Sequence, residues 1–166
     1  LEQRPDTVNS TTSKENGRWT PLHTAAQSGS VECIELLLKH RADIEAAKID
    51  GSTPLHIAAF NGQLFAIKYL IEQGARGTAT TDEGCLPLHA ACLNGHVEVT
   101  RFLLEQCPHT VNSTMSEDHG RWTPLHMAAQ SGSIDCVELL LERGANIEAT
   151  RSDGSTALHI AASHGQ

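Results

Sequence analysis

The chain has 166 residues and a formal net charge of −8, with twelve Lys and Arg scattered along it, so it lacks the basic stripe that neutralises phosphates. This argues against nucleic acid and against contact with an anionic membrane; no apolar run approaches the roughly 18 residues of a spanning helix, and no signal peptide is visible. Hydrophobic residues make up 39%, which excludes a disordered tail, and with only three Phe, two Trp and one Tyr any core is built from Leu, Ile, Val and Ala.

In chain order, residues 1–14 come first. Leu1-Glu2-Gln3 matches Leu104-Glu105-Gln106, the end of a second helix, so it is expected to be the last helical turn of a preceding unit, followed by a long loop. Residues 15–47 form the first full unit. Thr20 suits an N-cap and Pro21 the first helical position. Leu22, Ala25 and Ala26 recur at helical spacing, and Gly29 ends the helix in a left-handed conformation. A second helix is predicted from about Ser30 to His40, with Val31, Cys33, Ile34, Leu37 and Leu38 as its apolar positions. Arg41 stands where Gly74 and Gly144 stand in other units, so a mildly strained backbone is expected there.

Units follow at 48–80, 81–113 and 114–150, with a partial one at 151–166. Each opens on the same word: Thr-Pro-Leu-His at Thr20, Thr53 and Thr123, Leu86-Pro87-Leu88-His89, and Thr156-Ala157-Leu158-His159. The starts are 33, 33, 37 and 33 residues apart. A longer period lies on top: aligning 1–63 with 104–166 gives 43 identities in 63 positions, so a block of three units is duplicated at a spacing of 103. The window falls within a unit at both ends, which suggests a segment of a longer array in a larger parent chain.

The repeated word, followed each time by Ala-Ala or Ala-Cys, then Gly, then an apolar helix, resembles the ankyrin repeat. The resemblance covers nearly the whole chain. It implies an all-α solenoid of stacked helix-turn-helix units with finger loops. It also implies that the motif histidines, His23, His56, His89, His126 and His159, hydrogen-bond to neighbouring backbone and to the motif Thr. Spaced about one repeat apart, roughly 10 Å, they are too far from one another to share a metal ion, and no metal or other cofactor is expected.

The five cysteines are odd in number and contain no Cys-x-x-Cys, so free thiols in a reducing compartment, cytoplasmic or nuclear, are expected. Cys33, Cys92 and Cys136 occupy inward positions, while Cys85 and Cys107 lie in loops as the more exposed thiols. Two copies of one sequon, at Asn9 and Asn112, are a weak signal for secretion.

The resemblance implies a protein partner, held by the concave face of the first helices and by the fingers. Phe60 and Leu93 are apolar residues at positions expected to be wet, in adjacent repeats, with Gln27 and Gln130 as polar flanks. The long fingers carry Arg18-Trp19 and Arg121-Trp122. These serve either as partner contacts, being hot-spot residue types, or as packing on the neighbouring finger. The chain contains no phosphate-binding glycine loop, no Gly-x-Ser-x-Gly and no His-Glu-x-x-His, so no catalytic residue is expected. A rigid spacer or regulatory array attached to a catalytic or channel domain outside this window, or a secreted host-targeting effector, are the alternatives to a binding scaffold.

Overall fold

A computed structural model describes residues 7–166; the expected helical turn at Leu1-Glu2-Gln3 lies outside them. Among the described residues there are nine α-helices and no strands. The first helices are α1 (Pro21–Ser28), α3 (Pro54–Phe60), α5 (Pro87–Leu93), α7 (Pro124–Ser131) and α9 (Ala157–Ser163). The second helices are α2 (Val31–Lys39), α4 (Leu64–Glu72), α6 (Val97–Gln106) and α8 (Ile134–Glu142). Each first helix packs on the next, α1 on α3 through to α7 on α9, and the second helices stack as an outer layer.

The two layers follow from side-chain size. Ala26, Ala58, Ala59, Ala91 and Ala128 have no exposed surface, so neighbouring first helices meet almost backbone to backbone. The larger Ile34, Ile67, Leu70, Leu103 and Leu140 fill the space between layers. No single unit of this size buries its own apolar face; the core is continuous only because units stack. Gly62 shows how tight the joints are. It sits at φ 70°, and a Cβ there would lie 2.7 Å from the His96 ring, so glycine serves both the left-handed turn and the close approach.

Arg41 is at φ 65°, the left-handed region its glycine counterparts Gly74 and Gly144 occupy. Arg41→Gly is therefore expected to raise stability by up to about 1 kcal/mol, the cost of a left-handed non-glycine residue. Urea unfolding of the two proteins checks this; an unchanged or lower midpoint contradicts it.

The open faces of the stack correct the reading of two residue sets. Cys33 is exposed, although its copy Cys136 is buried. Cys136 Sγ lies 3.8 Å from Thr100 Oγ1 on α6, the preceding second helix, whereas no second helix among the described residues precedes α2. Leu36 is 57% exposed for the same reason. Cys85 and Cys107, expected to be the more accessible, are half-buried. Burial pushes the Cys85 thiol up to about 11 and raises that of Cys107. Maleimide should accordingly modify Cys33 first in the native protein, and Cys92 and Cys136 only after unfolding. Peptide mapping of a time course reads the order, and early labelling of Cys85 ahead of Cys33 contradicts it.

Candidate functional site

The connections between units are short hairpin-like fingers. In one, Lys48 N donates to Ser52 O at 2.9 Å and Asp50 Oδ1 accepts from Ser52 N at 3.0 Å, closing the turn around Gly51. The fingers at 81–85 and 151–155 close in the same way, through Thr81 N to Cys85 O and Arg151 N to Ser155 O. Their tips are joined in a row by one backbone hydrogen bond each: Ile49 N to Gly17 O, Asp82 N to Asp50 O, Ser116 N to Glu83 O and Ser152 N to Gly120 O, at 2.9–3.1 Å.

The motif histidines tie each finger to the helix behind it. His23 Nδ1 accepts from Thr20 N at 3.2 Å and lies 2.8 Å from Thr20 Oγ1, while Nε2 reaches Ser52 O at 3.1 Å. With Nδ1 accepting, the proton sits on Nε2 and is donated to the carbonyl of the next finger. His56 and His126 repeat the pattern towards Cys85 O and Ser155 O. His89 departs from it on both sides of the ring: Leu86 offers Nδ1 its backbone N–H but no hydroxyl, and Nε2 faces the long finger, where it is shared between Ser113 O and Trp122 O, each at 3.2 Å. His159 keeps the Thr156 bonds but is exposed, with no further finger among the described residues to meet. Among the described residues no three His, Cys, Asp or Glu side chains converge as a metal ion requires.

The long fingers contain something that spacing does not reveal. Each inserts a 3-10 turn, Lys14–Asn16 or Glu117–His119, followed by two left-handed residues, Gly17-Arg18 or Gly120-Arg121. The paired turn delivers Trp19 and Trp122 to the side of the next finger. Lys48 Nζ lies 4.9 Å from the Trp19 ring centre, and the Arg151 guanidinium 4.1 Å from that of Trp122. Each tryptophan also meets its motif histidine edge to face, with centroids 6.0 and 6.2 Å apart. Cation and aromatic face thus lock adjacent fingers, an arrangement worth about 0.5–1 kcal/mol at partly exposed sites. Of the two roles open to these tryptophans, packing on the neighbouring finger is visible in both, and Trp19 in addition borders the groove described next.

Between the fingers and the first helices runs a concave groove of about 390 Å³. Its lining brings together Trp19, Gln27, Phe60 and Leu93. Its floor is apolar: Ile57, Ala90 and Met127, each 8% exposed, with Phe60 standing up from it at 48% and Leu93 half-buried beside it. The other sequence candidates lie elsewhere. Gln130 is half-buried on α7 and Trp122 is held under Arg151; neither lines the groove. Arg18 is exposed on its finger, and Arg121 lines a separate polar depression with Asn112, Thr114, Asn146 and Glu148.

Two side chains without a sequence motif have structural roles. His96 looks like a patternless surface histidine, yet its Nε2 lies 3.0 Å from Phe60 O and fixes the end of α3. Gln63, at the same place one repeat earlier, donates to Gln27 O at 3.0 Å. Both sit just before a second helix, and that shared position is the signal that could have found them. The sequon asparagines are also occupied. Asn112 Nδ2 donates to Gly144 O at 3.0 Å while its Oδ1 accepts from Asn146 N at 2.8 Å, and Asn9 bridges Arg41 O and Asp43 N likewise.

A family model for ankyrin repeats, in three copies, matches residues 2–81, 77–151 and 107–166. The chain belongs to the ankyrin-repeat family. Ankyrin repeats are in general protein-interaction modules. The chain is similar to Ankyrin repeat and SOCS box protein 11 of Homo sapiens, 45% identical over 49 residues, which is 28% of this chain and 15% of that protein. It is similar to the Probable E3 ubiquitin-protein ligase XBOS32 of Oryza sativa subsp. japonica, 60% identical over 38 residues, 22% of this chain and 8% of that protein. It is also similar to the 2-5A-dependent ribonuclease of Homo sapiens, 42% identical over 52 residues, 31% of this chain and 7% of that protein. The chain therefore matches only a small fraction of the length of each of these relatives. Two of the three names denote enzymes, proteins in which a matching ankyrin segment is a small portion of a much longer chain. Among the described residues no helix is long and apolar enough to cross a membrane.

Proposed function

We propose that this chain is a non-catalytic binding segment that holds a protein partner in its concave groove, with Phe60 and Leu93 as apolar anchors, Gln27 at the rim and Trp19 at the finger edge. The observation that supports the reading best is the exposure of Phe60 beside Leu93 on an apolar floor, in a groove framed by the first helices and the row of fingers. Arg18, Arg121, Trp122 and Gln130 fall outside the contact in this reading. The repeats at 15–47, 48–80, 81–113 and 114–150, with a partial one at 151–166, are taken as one array, so the groove is continuous across them.

The cytoplasm or nucleus suits the chain best. All five cysteines are free, and a glycan on Asn9 or Asn112 would have to be attached to an Nδ2 that is already packed against the carbonyl of the next repeat. Phe60→Ala/Leu93→Ala tests the groove. Both side chains are partly solvent-exposed, so the double variant should keep its fold by circular dichroism yet lose at least about tenfold in partner recovery, the scale of one or two truncated anchors. Full recovery by the folded variant removes the groove as the binding surface.

A further inference from the structure

We infer that the occupant of this groove is an extended protein segment carrying an apolar side chain flanked by Lys or Arg, held by the apolar floor and by a row of acidic finger tips along one wall. The inference rests on the groove reading above and adds the chemistry of the partner.

The acidic row is set by the finger ladder. The bond from Asp82 N to Asp50 O and that from Ser116 N to Glu83 O place Asp50, Asp82, Glu83 and Glu117 on adjoining tips. Asp50 and Glu83 line the groove itself. Among the described residues, none of the ion pairs involves Asp82, Glu117 or Asp118. Glu83 meets only His119, at 3.8 Å, and both side chains are about half exposed. Lys48, the Lys or Arg that lines the groove, is already committed, paired with Asp50 at 3.1 Å and set over Trp19, while Arg18 and Arg121, on the two long fingers, lie outside the groove lining and Arg151 is paired with Asp153. The opposite rim offers the neutral amides Gln27 and Asn61. The wall thus presents uncompensated negative charge next to an apolar floor, which attracts a cationic chain and repels an anionic one.

Length and shape favour an extended occupant. The groove runs from Gln27 on α1 to Met127 on α7, three repeat steps or roughly 30 Å at helix-packing distance. A chain rising about 3.3 Å per residue covers this in roughly nine residues. Phe60 and Leu93 lie near the middle, so the apolar side chain falls centrally and its basic neighbours reach the tips at Asp82, Glu83 and Glu117.

The test is a selection from random dodecapeptides displayed on phage, against the 166-residue chain, with the Phe60→Ala/Leu93→Ala variant as counter-selection. Peptides lost on the variant should carry net positive charge around a Leu, Ile, Phe or Met. For one such peptide, made synthetically and labelled, Asp82→Asn/Glu83→Gln/Glu117→Gln should weaken binding about tenfold, and by far less at high salt. The same change in charge on the outer layer, Asp135→Asn/Glu138→Gln/Glu142→Gln, should have little effect. Groove-dependent peptides that are neutral or acidic, or equal effects of the two triple variants, overturn the inference and leave the groove standing. Selected peptides indifferent to Phe60 and Leu93, or none selected at all, overturn the groove reading itself.

Discussion

Lowering the pH from 7 to 4 is expected to destabilise the folded chain by several kcal/mol, through its motif histidines. His23, His56, His89 and His126 are buried, and burial is the main cause holding each below the ordinary histidine value; for His89 the result is about 4. Geometry acts in the same direction. Nδ1 of each accepts a backbone N–H, from Thr20, Thr53, Leu86 or Thr123, so protonation there sets donor against donor. Since the folded value lies below the unfolded one, near 6.5, the unfolded chain binds more protons between the two, and stability falls as the pH falls. The contribution is complete above about pH 6.5 and declines from there towards about pH 4. A shift from 6.5 to about 4 in His89 alone corresponds to a loss on the order of 3 kcal/mol, and the other three add in the same sense. Urea unfolding followed by circular dichroism at steps between pH 7.5 and 4 measures it; a flat midpoint across that range would refute the histidine account.

The second large effect concerns one motif leucine in two places. Leu88 on α5 is 1% exposed, whereas Leu158 on α9, the same position of the same word, is 75% exposed. Leu88→Ala should cost about 2–5 kcal/mol, the removed methyl groups plus the cavity left behind. Leu158→Ala should change stability by no more than about 0.5 kcal/mol, as at an ordinary surface site. The contrast isolates what a repeat array depends on: equivalent residues contribute in proportion to the neighbour they meet. Comparable losses from the two variants, in matched denaturant titrations, would show that the leucine acts within its own unit.

The same dependence on neighbours explains what is legible in the sequence. Helices and their stops are local events. Thr-Pro, the paired alanines and Gly29 specify α1 without reference to the rest of the chain, so the helices of the described residues and the solenoid they form are legible from periodicity and the repeated word. Cys33 defeats the same reading because the copies share a sequence but not a neighbour: Thr100 covers Cys136, and no second helix precedes α2 among the described residues. Within the groove, Phe60 and Leu93 stand out because they break a polar position, and the structure sets them side by side. The roles of Gln63 and His96 depend on side chains reaching back some 36 residues to a carbonyl, of which their shared position before a second helix is the local trace. The locked tryptophans require knowing that Lys48 and Arg151, on the following fingers, fall over the rings.

The row of finger tips also gives the array a mechanical character. Adjacent tips are joined by one backbone bond each, worth about 1 kcal/mol net, with a few exposed side-chain contacts and, at the two long fingers, a cation over tryptophan, while the first helices behind them meet along whole alanine-lined faces. The solenoid is therefore stiff along its helical spine and compliant along its fingers, like a comb with a rigid back. Thermal motion can spread neighbouring teeth without disturbing the core, so the groove adjusts its width joint by joint. A ligand spanning several tips would act as a brace across those joints, and its arrival at one finger would reduce the freedom of fingers it never touches.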